Sequence, residues 1–296
     1  MRKKGLRNGR NGRPSFDAEL SFGRQLIVFL VGVFPSLIGS LQAQSPLKPP
    51  SMSPDLPLHQ RRRPLEPAEL DAIPWIHLLA PSERQRAVDD LRIADASPGD
   101  YVCRMGRPVT YWFGVVDGLL KMSTDNEQGQ TMTFTGVPPG GWFGEGTAMK
   151  RESYRYNIQA LRKSLVAGLH VDTFHWLLDH SIGFNRFVMN QLNERLGQFI
   201  AAREIDRLTN PDIRVARSLA ALFNPVLYPG VGELLSITQQ ELAYLVGLSR
   251  QRVNEALTAL AAQGSIRVEY GGLRVLDLSA LRSQVFTRQK SVSGRG

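Results

Sequence analysis

Residues 237–278, ITQQELAYLVGLSRQRVNEALTALAAQGSIRVEYGGLRVLDL, carry the densest local signals in the chain. Thr238 and Glu241 have the S/T-x-x-E spacing of a capping box, in which each residue satisfies a backbone N–H of the other at a helix start. Leu242, Leu245 and Val246 give that helix an apolar face. Gly247 permits a tight turn, Leu248 can plug a core, and Ser249 is a second N-cap. On the helix that follows, Val253, Ala256, Leu257 and Leu260 recur at inward-facing spacing. Arg250, Gln251, Arg252, Asn254 and Glu255 are left on its outer, N-terminal part. Residues 266–269, Tyr270-Gly271-Gly272 and residues 273–276 then spell a β-hairpin.

Two short helices joined by a Gly turn, the second opening with polar forks and followed by a hairpin wing, have the shape that enters a DNA major groove. An ordinary packed helix pair with solvated charges would not require caps, turn, apolar spacing and wing all in register. Upstream, Asn210-Pro211 reads as an N-cap with Pro at the first helical position, opening an amphipathic helix through VARSLAALF. Residues 182–208 predict one long helix with Val188, Leu192, Leu196, Phe199 and Ala202 at three- and four-residue steps. That stripe either packs on its own domain or forms a seam with a second copy, and the seam is the reading adopted. Residues 92–171 alternate short apolar runs with turn residues, which predicts an all-β roll. Asp117-Gly118 between YWFGVV and LLKMS predicts a hairpin there. Residues 67–91 read as helical, with Ser82 expected to cap ERQRAVDDL.

The 296-residue chain has a net charge of +9, but residues 1–51 hold eight Lys/Arg against Asp17 and Glu19, so six of the nine charges lie there. Charge therefore says little about a polyanionic partner for the rest. One cysteine, Cys103, supplies neither a disulfide, a zinc ribbon nor an iron–sulfur cluster, and is expected on a buried strand. His59, His77, His170, His175 and His180 show no metal-binding spacing. No nucleophile–base pair is visible, so no catalytic or metal residues are assigned and an enzyme is not expected. The apolar run LIVFLVGVFPSLIG, residues 26–39, follows a basic stretch and precedes Ala43, as in a signal peptide. It is short for a membrane helix and contains Pro35. A real signal or anchor, a disordered tail, and a start codon placed too early compete; the third is preferred, with Met52 opening the shorter product. Residues 1–66 are read as an unstructured extension.

At ITQQELAYLVGLSRQRVNEAL the sequence resembles the Crp/Fnr superfamily of bacterial regulators, a likeness that extends over residues 70–288. The resemblance implies an α+β chain: a cyclic-nucleotide-binding-like β-roll sensor (residues 67–181), a long dimerisation helix (182–209) and a winged helix-turn-helix (210–288). It implies a cytoplasmic homodimer on two-fold-symmetric double-stranded operators, with RNA polymerase as a partner and no stable membrane association. Carried over position by position, Arg250, Gln251 and Glu255 would touch base edges, and Thr238, Gln240 and Ser249 phosphates. Arg252, beside them, is assigned to phosphate. Arg suits guanine, Gln adenine, and Glu the amino group of cytosine. The family commonly has Arg where Glu255 stands. That acid either reads a cytosine or turns toward Arg252 or Arg250.

Residues 141–161, GWFGEGTAMKRESYRYNIQAL, resemble the family's phosphate-binding cassette, in which helix N–H groups and a later Arg hold a cyclic phosphate. Gly144 and Glu145 match. With residues 158–161 aligned on the family's next strand, Tyr154 falls where the phosphate Arg belongs and Arg155 at the Ser/Thr position. A one-residue shift would instead give Arg155 the phosphate role. A cyclic nucleotide is thus the implied ligand, Gly144, Glu145 and Arg155 its candidate contacts, and tight cyclic AMP binding is not expected. Two rival readings stand beside this one: a β-roll scaffold without DNA function, and an exported or anchored protein.

Overall fold

The computed structural model describes residues 62–126, 128–207 and 209–283, all within one compact unit. The expectations for the apolar run at 26–39, for Met52 and for residues 284–288 lie outside the described residues. No helix among the described residues is long and apolar enough to cross a membrane.

The chain enters through α1 (Pro67–Asp71), a 3-10 turn (Ile76–Leu78) and α2 (Pro81–Asp90). Helix α2 starts two residues earlier than the Ser82 cap would have it. Pro81 takes the first helical position, and the Glu83 carboxylate accepts from the Ala80 N–H at 2.9 Å. Proline's fixed φ and missing donor suit that position, which leaves Ser82 inside the first turn.

Eight strands follow: β1 (Arg92–Ala96), β2 (Tyr101–Cys103), β3 (Tyr111–Asp117), β4 (Leu120–Asp125), β5 (Thr131–Val137), β6 (Trp142–Phe143), β7 (Asn157–Ala160) and β8 (Ser164–His170). They form two antiparallel four-stranded sheets, β1-β8-β3-β6 and β2-β7-β4-β5, the two layers of a jelly roll. The Asp117-Gly118 turn is therefore not a hairpin: β3 and β4 belong to different sheets. Gly118 has φ +104°, but Asp117 stays at negative φ, so the paired left-handed residues of a type I′ turn are absent. A Cβ on Gly118 would fall 2.3 Å from Ser164 Oγ, which makes this a close crossover between layers. The strands that pair directly in this region are β4 and β5, with Gly129 between them at φ +74°.

Between β6 and β7 lies α3 (Glu145–Lys150). After β8 come α4 (Val171–His180) and the long α5 (Ile182–Asp206). Phe184 and Val188 of α5 are buried in the core of the roll, where Trp75, Trp112, Trp142 and Phe174 pack edge-to-face and tilted. Leu192 and Phe199 pack against the same core, and Phe199 meets Phe134 of β5. Most of the stripe read from the sequence thus faces its own domain. A second line runs along a neighbouring face, one residue on from the inner positions: Ile182, Met189 and Ile200 are 72%, 63% and 56% exposed, with Leu196 half-buried among them. These positions, with Asn193, follow the four–three spacing of a coiled-coil seam.

The C-terminal unit comprises α6 (Pro211–Ala221), β9 (Leu234–Leu235), α7 (Gln239–Val246), α8 (Arg250–Ala262), β10 (Ile266–Glu269), β11 (Gly272–Val275) and α9 (Leu278–Ser283). Its own core joins Val215 and Leu219 of α6, Leu242 and Val246 of α7, Val253 and Leu257 of α8, and Ile266 and Leu273 of the wing. The wing is three-stranded, β10-β11-β9, closed by a two-residue turn at Tyr270-Gly271.

Candidate nucleic-acid interface

The two helix starts form as their residue types require. Thr238 Oγ1 accepts from the Glu241 N–H at 3.1 Å and Glu241 Oε2 from the Thr238 N–H at 2.7 Å. Gly247 ends α7 at φ +65°, a left-handed cap that costs glycine little. Ser249 Oγ accepts from the Arg252 N–H at 3.2 Å and starts α8. Val253, Ala256, Leu257 and Leu260 are all essentially inaccessible, which fixes the rotation of α8. Its first turn then lies on the surface. Ser249, Arg250, Gln251 and Glu255 are exposed there, and Thr238 and Gln240 are exposed at the start of α7. The sequence-assigned residues thus stand exposed at the two helix starts.

Arg252 is the exception. It is only half exposed, and its Nη2 donates to Asp212 Oδ1 of α6 at 2.5 Å while Nη1 donates to Glu255 Oε2 at 3.3 Å. Gln251 Nε2 donates to the other Glu255 oxygen at 3.3 Å. Glu255 is turned toward Arg252, and each of its oxygens, with one donor already on it, keeps a second acceptor site, so the turn leaves base reading open. Asp212 was not singled out by sequence reading, because it lies 40 residues away and only the packing of α6 on α8 brings it near.

In the roll, Gly144 takes φ +89° and opens α3, and Glu145 is 3% exposed. The positive end that meets Glu145 is Arg195 of α5, with Nη2 3.6 Å from Glu145 Oε1. Arg195 also donates to the Trp142 carbonyl at 2.6 Å and to the Tyr228 hydroxyl at 3.3 Å. Burial would lower the Arg195 guanidinium, but Glu145 and the neighbouring Tyr228 and Tyr156 outweigh it and hold it above its ordinary value. Tyr154 points inward and donates to the Tyr111 carbonyl at 2.8 Å. Arg155 faces solvent and pairs with Glu152 at 2.9 Å. Residues 158–160 are in β7, the placement used in the sequence alignment. Arg195, which sequence reading missed, could have been suspected only as a charge on the inward face of α5.

A cyclic nucleotide-binding domain model matches residues 95–181, and a Crp-like helix-turn-helix domain model matches residues 213–284. Transcriptional regulator SdrP of Thermus thermophilus is 29% identical over 180 residues, spanning 60% of this chain and 84% of that protein. The Cyclic AMP receptor protein of the same organism is 26% identical over 213 residues, spanning 72% and 97%. Among solved structures, FixK2 from Bradyrhizobium japonicum superposes with a TM-score of 0.52 at 15% identity, covering 64% of this chain and 94% of that one; that likeness is one of fold.

Proposed function

Because the chain belongs to the Crp/Fnr superfamily of DNA-binding transcription regulators, we propose that it acts as a homodimer whose two α8 helices enter successive major grooves of a two-fold-symmetric operator. The observation that carries this is the exposed first turn of α8, where Arg250 and Gln251 stand beside a capped helix start while the apolar residues of the same helix are fully buried. Arg250, Gln251 and Glu255 read base edges; Thr238, Gln240 and Ser249 hold phosphate. The second copy docks along Met189, Leu196 and Ile200, which spaces the two reading heads. Bound this way in the cytoplasm, the dimer recruits or obstructs RNA polymerase.

The cassette favours a sensor that does not take cyclic AMP tightly. Tyr154 fills the inward position where a phosphate-binding Arg is expected, and Arg195 already faces Glu145. Selection of genomic fragments by the purified protein, with and without cyclic nucleotides, tests both statements. Enrichment of one palindromic motif regardless of nucleotide is expected. Retention of no fragment would remove the DNA reading and leave a β-roll scaffold.

A further inference from the structure

The corner of α8 that faces outward carries a chain of charges the assigned roles do not account for. Asp212, Arg252 and Glu255 run in line from α6 to the reading face, at 2.5 Å and 3.3 Å. The Asp212 backbone is fixed in the first turn of α6, where its N–H donates to Asn210 Oδ1 at 2.9 Å. The Arg252 and Asp212 side chains are 29% and 24% exposed, and Glu255 is 53% exposed. Two carboxylates share one guanidinium, so the trio carries a net charge of −1 by count. A corner of that sign repels phosphate, and a guanidinium with both terminal nitrogens engaged is poorly placed to reach one.

We propose that Asp212 and Arg252 are positioning residues that hold the Glu255 carboxylate toward the groove floor, making the recognition helix select cytosine at one symmetric position of each half-site. This rests on the DNA-reading function above and reassigns Arg252 from phosphate contact to orienting group. The chemistry follows from the base edges. A carboxylate only accepts hydrogen bonds, and in the major groove cytosine offers the N4 amino donor. Guanine and thymine present acceptors at the corresponding edge, which repel it. Adenine offers the N6 donor but sets the N7 acceptor beside it, so cytosine is the better match. Gln251, whose amide nitrogen also meets Glu255, restrains the same carboxylate from the other side.

The test uses the full chain and the operator it selects from random duplexes, followed by competition binding on every single-base variant of that operator. Wild type is expected to favour cytosine at one symmetric position. Glu255→Gln should transfer the preference there to adenine and weaken binding to the cytosine site about tenfold or more. Asp212→Asn, nearly isosteric, should lower the cytosine preference severalfold at that position alone. Arg252→Gln should do the same, and the dependence of log K on log salt should keep its slope. If either substitution weakened every variant equally, or Arg252→Gln reduced the slope by about 0.9 per half-site, Arg252 would be a phosphate contact and the proposal would be overturned. Thermal melts exclude unfolding of Arg252→Gln, and Asp212→Asn supplies the same readout independently. A wild-type protein that selects no sequence would sink the DNA reading as well. One that selects a site indifferent to all three substitutions would sink the relay alone.

Discussion

Arg250 sits one residue past the Ser249 cap and, among the described residues, no carboxylate or carbonyl engages its guanidinium. It is therefore available as a bidentate donor to guanine, worth about 1–3 kcal/mol of discrimination per half-site. Arg250→Ala should relax preference at one symmetric base pair, whereas Ser249→Ala, losing a cap and a phosphate contact, should weaken all sequences alike. Competition on single-base operator variants separates the two, and uniform loss from Arg250→Ala would shift base reading to Gln251 and Glu255. Cys103 gives a second residue-scale expectation. It is 3% exposed on β2, and burial raises its thiol far above the ordinary range. A native sample should not react with a thiol reagent at neutral pH, and should titrate one thiol per chain in denaturant. Fast native labelling would mean that the roll opens readily around β2.

At the scale of elements, α5 has apolar residues on two neighbouring faces, one set against the roll and one toward solvent. Ile200→Asp places a charge on the outer line. It should convert a dimer to monomers by light scattering and abolish operator binding, with the roll still folded. Phe199→Ala acts on the inner line. It should lower thermal stability by about 1–3 kcal/mol, less than for a fully buried Phe because Phe199 is only partly buried. An unchanged dimer in Ile200→Asp would refute the outer seam. For the cassette around α3, Tyr154 in place of a cationic fork leads to a cyclic AMP dissociation constant above about 1 mM, near −4 kcal/mol. Calorimetry showing micromolar affinity would instead require Tyr154 to swing out and Arg155 to take its place.

Across the whole described molecule, the winged unit is docked on the roll. Leu119 of the β3–β4 crossover belongs to the core of the C-terminal unit, and a Cβ on Gly136 would meet Leu245 at 2.8 Å and Leu222 at 3.0 Å. Arg162, following β7, makes a two-pronged ion pair with Glu241, its Nε donating to Oε1 at 2.8 Å. Glu241 thus caps α7 and ties it to the roll with one carboxylate. Arg162→Ala should cost about 1–3 kcal/mol of coupling between the units. Calorimetry should then resolve two unfolding transitions where wild type shows one. A single transition at an unchanged midpoint would show that the pair contributes nothing to docking.

Thr238, Glu241, Gly247, Ser249 and the buried line Val253–Ala256–Leu257–Leu260 were legible in the sequence because caps, left-handed turns and helical periodicity depend on neighbours within four residues. The β texture of residues 92–171 was legible for the same reason, since turn residues act locally. The Asp117-Gly118 turn was legible as a turn, but the flanks' pairing with β8 and β7 depends on partners 34 to 59 residues away, so its crossover nature was not. The stripe on α5 was visible as spacing, yet periodicity marks apolar positions without saying which side the roll occupies. Arg195 on Glu145, Arg162 on Glu241 and Asp212 on Arg252 join residues 50, 79 and 40 apart. Charges become partners at such separations only when packing brings them together and removes the water between them. The helix pair, its caps and its buried line were thus written locally, while the orientation of Glu255, the cation facing Glu145 and the docking of the two units were decided by the tertiary fold.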